Sequence, residues 1–212
     1  MNEYTIVVPK GEVIIVRNIY CIGRNYLDHI SELNNDEPDE PFFFQKSLPS
    51  LNTSDLIDIP EGREIHHELE IVIFIHKDGE YILSDNATSY IGGYALGLDL
   101  TDRPFQNELK NKKLPWLLSK SFKGSAVLSD FKNGPIDQEF WLEINGVEKQ
   151  RGHINQMINS ISEQIAYLSK KIPLLKGDLV FTGSPGGVGI ISSGDTLEMG
   201  IGTKVVKRLA VQ

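Results

Sequence analysis

The stretch His66-His67-Glu68-Leu69-Glu70-Ile71-Val72-Ile73-Phe74-Ile75 decides the fold of this chain. From Leu69 onward the residues are apolar except Glu70, and β-branched side chains dominate. Such a run is typical of a strand that is covered on both faces, so we predict that it lies in the centre of a sheet. Side chains two residues apart on a strand share a face, and Glu68 and Glu70 should therefore project to the same side.

Two carboxylates held side by side at the mouth of a buried strand are costly unless a cation lies between them. Glu68 and Glu70 have two explanations: they reach solvent or pair with a Lys or Arg, or they bind a metal ion. Asp99 adds a third carboxylate at the end of a second buried strand, residues 90–100, whose glycines indicate close passage of another backbone. An all-oxygen set favours Mg²⁺ or Mn²⁺ over zinc, and His66 and His67 are then structural or support the ligands.

The composition is that of a soluble globular protein, with a single domain predicted over residues 1–212. The net charge is −8 and no basic run occurs, which argues against nucleic acid or an anionic membrane as a partner. No apolar run approaches the roughly 20 residues of a membrane span, and the first residues lack signal-peptide features, so a cytoplasmic location is predicted. Cys21 is the one cysteine, which excludes an intrachain disulfide and is typical of an inert core thiol.

The remaining patterns predict an α+β, β-rich domain with two or three helices. Strands are expected at 4–8, 13–16, 19–23, 42–46, 55–60, 81–83, 140–144, 178–182, 195–199 and 204–211, with a type I′ hairpin turn at Asn145-Gly146 and an extended apolar piece at 116–122. Helical segments are expected at 84–89, capped by Ser84 or Asp85, after Thr101-Asp102-Arg103-Pro104, and at 154–171, which is predicted to be the longest helix.

A helical turn near residue 30 would place His29 and Glu32 on one face. His29 would then be a natural general base with Glu32 as its orienting carboxylate, and the alternative is an ordinary surface pair. The segment 34–41 that follows is acidic and marked by prolines, which predicts a loop. Because it offers little apolar area to offset ordering, we expect residues 28–40 to form a lid that is mobile without ligand.

Other catalytic schemes lack their motifs. No Gly-x-Ser-x-Gly elbow occurs, and the glycine-rich run 183–189 lacks the Lys-Ser/Thr of a P-loop. This run is therefore either a tight turn or a set of backbone N–H groups that face a substrate.

Five motifs together resemble the fumarylacetoacetate hydrolase superfamily, in the family's order and from about Ile19 to the end of the chain. They are Gly23-Arg-Asn-Tyr-x-Asp-His29, His66-His-Glu-Leu-Glu70, Gly92-Gly-Tyr-Ala-x-Gly-x-Asp99-x-Thr101, Leu114-Pro-Trp-x-x-x-Lys120-Ser-Phe122 and Thr182-Gly-Ser-Pro-x-Gly-Val-Gly189. The chain length is most similar to the acylpyruvase/oxaloacetate decarboxylase branch. Pro104 departs from the family's usual Asp, and Ser184-Pro185 from its usual Thr-Pro, both on the substrate side of the implied site.

The resemblance implies a mixed β-roll with a few flanking helices, usually a homodimer. It implies Mg²⁺ or Mn²⁺ as cofactor, with Ca²⁺ as a substitute in crystals, and a small 2-oxo acid as substrate. The implied roles are metal binding for Glu68, Glu70 and Asp99, catalysis for His29, Glu32 and Lys120, and substrate binding for Arg24, Arg103, Gln106 and Thr182.

The implied activity is metal-dependent cleavage of the C3–C4 bond of a 2-oxo acid through a pyruvate enolate that the metal stabilises. Hydrolysis of an acylpyruvate, such as fumarylpyruvate or acetylpyruvate, needs an activated water, whereas decarboxylation of oxaloacetate does not. A keto–enol tautomerase on the same site and a non-catalytic metal-dependent binding protein are the alternatives. The presence of His29, Glu32 and Lys120 beside the acidic residues argues against the binding protein.

Overall fold

The predicted central strand lies in the middle of the largest sheet of the computed structural model, which describes residues 4–32 and 38–212. In spatial order the seven strands of this sheet are β4 (Phe42–Lys46), β3 (Ile19–Gly23), β14 (Leu179–Phe181), β8 (Leu69–Ile75), β9 (Ile91–Asp99), β11 (Ala126–Leu128) and β5 (Leu51–Asn52). The pairs β3–β14 and β11–β5 are parallel and the other pairs antiparallel, so the sheet is mixed.

A second sheet of five strands contains β13 (Val147–Gly152), β12 (Phe140–Ile144), β16 (Thr196–Ile201), β17 (Lys204–Val211) and β6 (Leu56–Ile57). Two small sheets pair β1 (Thr5–Val7) with β2 (Val13–Ile15), and β10 (Thr101–Asp102) and β15 (Gly189–Ile190) with β7 (Ile65–His67). The helices are α1 (Leu27–Glu32), α2 (Ser84–Ala87), α3 (Arg103–Asn111), α4 (Leu117–Lys120) and α5 (Ile161–Ser169), with 3-10 turns at Pro9–Gly11, Leu48–Ser50, Thr88–Tyr90 and Ile154–Gln156. Among the described residues, none of these helices is long and apolar enough to cross a membrane.

All seven residues of β8 are buried, and their side chains alternate between two apolar cores. Ile71, Ile73 and Ile75 pack into the core shared with the five-stranded sheet, while Val72 and Phe74 pack into the core on the other face. The prediction of a strand covered on both faces is therefore confirmed, as is the α+β class with a curled, β-roll-like sheet.

Close backbone approach explains one glycine of β9, as predicted from the sequence. A Cβ on Gly97 would lie 2.7 Å from the carbonyl oxygen of Val127 and 2.8 Å from the ring of Phe181. The hairpin prediction also holds, because Asn145 and Gly146 have φ values of 52° and 75°, which a type I′ turn requires.

The extended piece predicted at 116–122 is wrong, because a short helix, α4, occupies its centre. Consecutive apolar residues suggested a strand, yet Leu117 and Leu118 are exposed while Ser119 and Lys120 are buried. The backbone N–H of Lys120 donates to the carbonyl of Trp116, and this helical turn directs the lysine inward.

The helix predicted over 154–171 is too long, since α5 begins only at Ile161 and, at nine residues, equals α3. Residues before it pair instead with the two residues that precede α1: Ile158 donates its N–H to the carbonyl of Asn25, and Met157 forms a β-bridge with Tyr26. Ser160 and Glu163 form a capping box that marks the true start.

Three smaller predictions also differ from the structure. Residues 81–83 form no strand, because the N–H groups of Tyr81 and Ile82 bond to Ser169 at the end of α5. The helix α2 begins after Leu83 without a side-chain cap, and five helices are present in the described ranges rather than two or three. The loop predicted at 34–41 and the lid predicted over 28–40 fall partly on residues 33–37, which lie outside the described part of the chain.

Candidate metal centre and active site

Strand pairing brings the three predicted carboxylates together at one end of the β8–β9 hairpin. Leu69 pairs with Leu98, and the N–H of Asp99 donates to the carbonyl of Glu68 at 2.9 Å. Opposed residues of an antiparallel pair share a face, so Asp99 lies beside Glu68, and Glu70 follows two residues along the same face. One oxygen from each carboxylate lies within 4.8 Å of the others, and all three residues are buried.

Lys120, which ends α4, lies among these carboxylates. Its Nζ donates to Glu68 Oε2 at 2.8 Å, to Asp99 Oδ2 at 2.6 Å and to Thr101 Oγ1 at 2.7 Å. Burial alone would lower the pKa of Lys120, but the charges of Asp99 and Glu68 outweigh burial and raise it. Lys120 is therefore a fixed ammonium ion.

Two further cations complete the neutralisation of Asp99 and Glu68. Lys46, at the end of β4, donates to Asp99 Oδ1 and to the carbonyl of Leu100, and Arg103 donates from Nη2 to Glu68 Oε1. Burial would raise the pKa of Glu68, yet the neighbouring Lys120 and Arg103 charges together hold it well below its usual range. Glu68 is therefore ionised at neutral pH.

Glu70 differs from the other two carboxylates, because no ion pair reaches it from the described residues. Its Oε2 accepts a hydrogen bond from the N–H of Gly183 at 2.6 Å. Burial and the adjacent Asp99 and Glu68 carboxylates raise its pKa well above the usual range. A buried carboxylate that lacks a cation, next to two more carboxylates, fits a hard divalent metal ion with oxygen ligands.

His29 and Glu32 lie on one face of α1, as predicted. Nδ1 of His29 is 3.9 Å from Glu32 Oε2, longer than a hydrogen bond, and Glu32 Oε2 accepts the N–H of Gly187 at 3.0 Å. The interaction with His29, followed by the backbone N–H groups of Gly187 and Val188, lowers the pKa of Glu32. The carboxylate is thus held in place by the 183–189 turn, on the Nδ1 side of the imidazole.

A pocket opens over the carboxylates and is lined by both acidic and basic groups. Its polar lining residues are Arg24, His29, Glu68, Glu70, Arg103, Gln106, Lys110, Lys120 and Ser184, with Phe44 and Trp116 as an aromatic wall. Seven of the ten residues to which sequence analysis assigned roles therefore line this pocket. Two more adjoin lining residues, since Asp99 bonds to Lys120 and Glu32 faces His29.

Thr182 is the tenth, and it does not line the pocket. It is fully buried, and its hydroxyl donates to the carbonyl of Ile71 at 2.9 Å while its own carbonyl accepts from Asn25. These contacts fix the end of β14 and so the turn that contacts Glu70. Direct contact between Thr182 and a substrate stays a prediction.

Gln150 was not found by sequence analysis, although it links the metal-site strand to the 183–189 turn. Its Oε1 accepts the N–H of Leu69 at 2.9 Å and lies 2.7 Å from Nδ1 of His67, while its Nε2 donates to Ser184 Oγ at 2.8 Å. Leu69 lies between the two glutamates, so this side chain braces the strand that carries them. Gln150 lies on a strand whose other residues have no unusual pattern, and nothing in the neighbouring sequence indicates its contacts.

Replacing Gln150 by leucine is expected to lower the free energy of unfolding by about 2–3 kcal/mol, because buried partners would lose their hydrogen bonds. Denaturant unfolding measures the change. Gln138→Leu, at an exposed position, is the matched control and should change stability by less than about 0.5 kcal/mol. An unchanged midpoint and slope for Gln150→Leu would contradict the bracing role.

Comparisons with known proteins agree with this geometry. The model of the family described as fumarylacetoacetate (FAA) hydrolase C-terminal matches residues 18–210. A mitochondrial oxaloacetate tautomerase of Mus musculus is 41% identical over 210 residues, covering 92% of each chain. A mitochondrial oxaloacetate decarboxylase of Dictyostelium discoideum is 41% identical over 195 residues, covering 87% of this chain and 88% of that one. The crystal structure of a fumarylpyruvate hydrolase from Pseudomonas aeruginosa, in complex with Mn²⁺ and pyruvate, matches with a TM-score of 0.92 and 32% identity over 100% of this chain and 96% of that one.

Proposed function

This chain belongs to the fumarylacetoacetate hydrolase family of enzymes, and from that premise we propose that it is a divalent-metal-dependent enzyme that forms enolates of 2-oxo acids. The observation that carries the proposal is the buried triad of Glu68, Glu70 and Asp99, in which one carboxylate lacks a cation. A buried carboxyl group without a cationic partner is costly to ionise, and groups perturbed in this way cluster where ligands bind.

The three carboxylates would hold Mg²⁺ or Mn²⁺, and the Mn²⁺ in the similar fumarylpyruvate hydrolase supports a divalent ion as the cofactor. When bound, the ion supplies the positive charge that stabilises an enolate. The protein adds fixed cations of its own. Lys120 and Arg103 already bond to the triad, and they place donors within the same pocket before any substrate arrives.

The charge of the pocket supports an anionic substrate. Four cationic side chains line it, those of Arg24, Arg103, Lys110 and Lys120, in a protein whose net charge is −8. A carboxylic acid substrate would be drawn to this region and away from the acidic surface elsewhere. Gln106, whose Oε1 accepts from Arg103 at 2.7 Å, fixes the guanidinium in the pocket wall.

Keto–enol tautomerisation of oxaloacetate is the first reaction that we propose for this site, supported by the oxaloacetate tautomerases that are similar over most of the chain. The reaction moves one proton between C3 and the 2-oxygen, and it consumes no water. The residues required are cations that stabilise the enolate and a group that exchanges the proton. We assign this exchange to His29, because its ring lines the pocket and an imidazole is a common proton carrier near neutral pH.

Cleavage of the C3–C4 bond is the second reaction, and the His29–Glu32 pair favours it. In an acylpyruvate, His29 would take a proton from water, the oxygen would add to C4, and the C3–C4 bond would break. The products are a carboxylic acid and the pyruvate enolate, which then takes a proton at C3. In oxaloacetate the same bond releases CO₂ without water, the reaction named for the similar oxaloacetate decarboxylase.

A substrate panel tests both reactions on the purified enzyme. Oxaloacetate, fumarylpyruvate and acetylpyruvate are followed by loss of enol absorbance and, in parallel, by pyruvate release coupled to lactate dehydrogenase. With oxaloacetate we expect a loss of enol absorbance. EDTA should abolish it, because the enzyme would then lack the ion that stabilises the enolate, and added Mg²⁺ or Mn²⁺ should restore it. Pyruvate release identifies cleavage, and enol loss without pyruvate identifies tautomerisation. Turnover that is insensitive to EDTA, or none with any of these acids, would refute the proposal.

Two features predicted from the sequence accompany this proposal. A homodimer is expected from the family resemblance, and size-exclusion chromatography with light scattering measures it. A cytoplasmic location is expected from the sequence, whereas the similar tautomerases and decarboxylase are named as mitochondrial.

A further inference from the structure

The helix α3 presents three polar side chains to the pocket. Arg103, Gln106 and Lys110 are spaced by three and four residues, so they share one face of the helix, and all three line the pocket. With a rise of about 1.5 Å per residue, Lys110 lies roughly 10 Å further along the helix than Arg103. The helix therefore extends the cationic wall away from the carboxylate triad, to which Arg103 bonds.

Lys110 differs from the other lysines around it in its lack of an acidic partner. Within the described residues no carboxylate lies within ion-pair distance of its Nζ, whereas Lys120 bonds to Glu68 and Asp99 and Lys112 bonds to Glu108. Burial and the charge of Arg103 lower the pKa of Lys110 to about 8, with Arg24 and Lys120 acting in the same direction and the more distant Glu68 carboxylate opposing them. A half-buried cation among other cations is stabilised when an anion arrives.

An aromatic ring holds this ammonium group over the pocket. Nζ of Lys110 lies 5.2 Å from the centroid of Trp116, within the range of a cation–π interaction. Trp116 itself lines the pocket and packs edge-on against Phe42 at 5.3 Å. The contact with Trp116 thus restrains the ammonium group of Lys110 in the pocket wall, unlike that of a lysine exposed on the surface.

We propose that Lys110 binds a second carboxylate of the substrate, at the end remote from the 2-oxo acid group, and so selects 2-oxo diacids over 2-oxo monoacids. This inference rests on the proposed function and deepens it. The charges of Arg103 and Lys120 are already taken up by the triad, while that of Lys110 is not. A charge-assisted hydrogen bond to the distal carboxylate satisfies Lys110, and a monoacid leaves it unsatisfied.

The test compares oxaloacetate and fumarylpyruvate, which carry a second carboxylate, with acetylpyruvate, which does not. Lys110→Met should lower kcat/KM for the diacids about 10- to 100-fold, and for acetylpyruvate by only a few-fold. Lys110→Arg keeps the charge and should restore most of the diacid preference. Lys112→Met removes one charge from the exposed side of the same segment and is the matched control, expected within about twofold of the parent on every substrate.

A binding measurement tests the role of Lys110 independently of the reaction that the enzyme catalyses. Malate and lactate are 2-hydroxy acids that differ in the second carboxylate, and their dissociation constants are measured by calorimetry on the Mn²⁺-loaded protein. The parent should bind malate more tightly, and Lys110→Met should remove that advantage while Lys112→Met keeps it. Equal losses on diacids and monoacids, or an unchanged malate preference, would overturn the role of Lys110 and leave the proposed function intact. Failure of the whole substrate panel with the malate preference retained would overturn the reaction instead.

Discussion

Glu70→Gln is expected to abolish metal-dependent turnover and to weaken Mn²⁺ binding by at least about 100-fold. Replacing a residue that only hydrogen-bonds to a metal ligand already lowers metal affinity by about 10- to 100-fold, and Glu70 would be a ligand itself. Glutamine has nearly the same shape and can still accept the N–H of Gly183. It removes the one carboxylate of the triad that no cation of the described chain neutralises. The variant therefore changes charge at the site with little change in packing.

Stability in the absence of metal separates loss of a ligand from loss of the fold. Burial and the carboxylates of Asp99 and Glu68 raise the pKa of Glu70 and so disfavour its charged form when no metal is bound. The neutral amide of Gln is therefore tolerated there, and metal-free Glu70→Gln should unfold at a temperature equal to or above that of the parent. Mn²⁺ should raise the unfolding temperature of the parent and not that of the variant. Glu64→Gln, an exposed residue that pairs with His66, is the control and should behave as the parent. Undiminished turnover in metal-stripped Glu70→Gln would exclude the metal-enolate chemistry.

The acidic triad could be predicted from sequence because strand periodicity is local and strong. An unbroken apolar run after Glu70 fixes a two-sided buried strand, and alternation then places Glu68 and Glu70 on one face. Asp99 was predicted from a second apolar run that ends in an acid, whereas its position beside Glu68 comes from the pairing of β8 with β9 in the structure. A different local signal, cap candidates followed by Pro104, predicted α3. In the structure Asp102 caps this helix by accepting the N–H of Phe105.

Cations that neutralise the triad were harder to predict, because they come from distant parts of the chain. Lys46 ends an otherwise apolar strand, a signal visible in the sequence. In the order of the sheet, however, three strands separate β4 from β9, and only the curl of the sheet lets Lys46 reach Asp99. The direction of Lys120 depends on one helical turn that its apolar neighbours concealed. Gln150 acts across 81 residues to Leu69, and no local pattern encodes such a contact.

His29→Ala is expected to lower acylpyruvate hydrolysis by about 10²- to 10⁴-fold, the usual contribution of a general base. The buried imidazole lies in the pocket wall with Nδ1 toward Glu32, so Nε2 is the ring atom available to a water molecule. Oxaloacetate decarboxylation consumes no water. If activation of water is the only role of the pair, that reaction should fall much less in the same variant.

The ratio of the two losses therefore reports what His29 does. Steady-state kcat and KM are measured for acetylpyruvate hydrolysis and oxaloacetate decarboxylation, with Mn²⁺ saturating in both. His66→Ala is the matched control, because His66 bonds to Glu64 outside the pocket and should leave both activities near those of the parent. A selective loss of hydrolysis assigns His29 and Glu32 to water activation. Equal losses on both substrates would contradict that role and assign His29 to proton exchange with the enolate, the step that tautomerisation also requires.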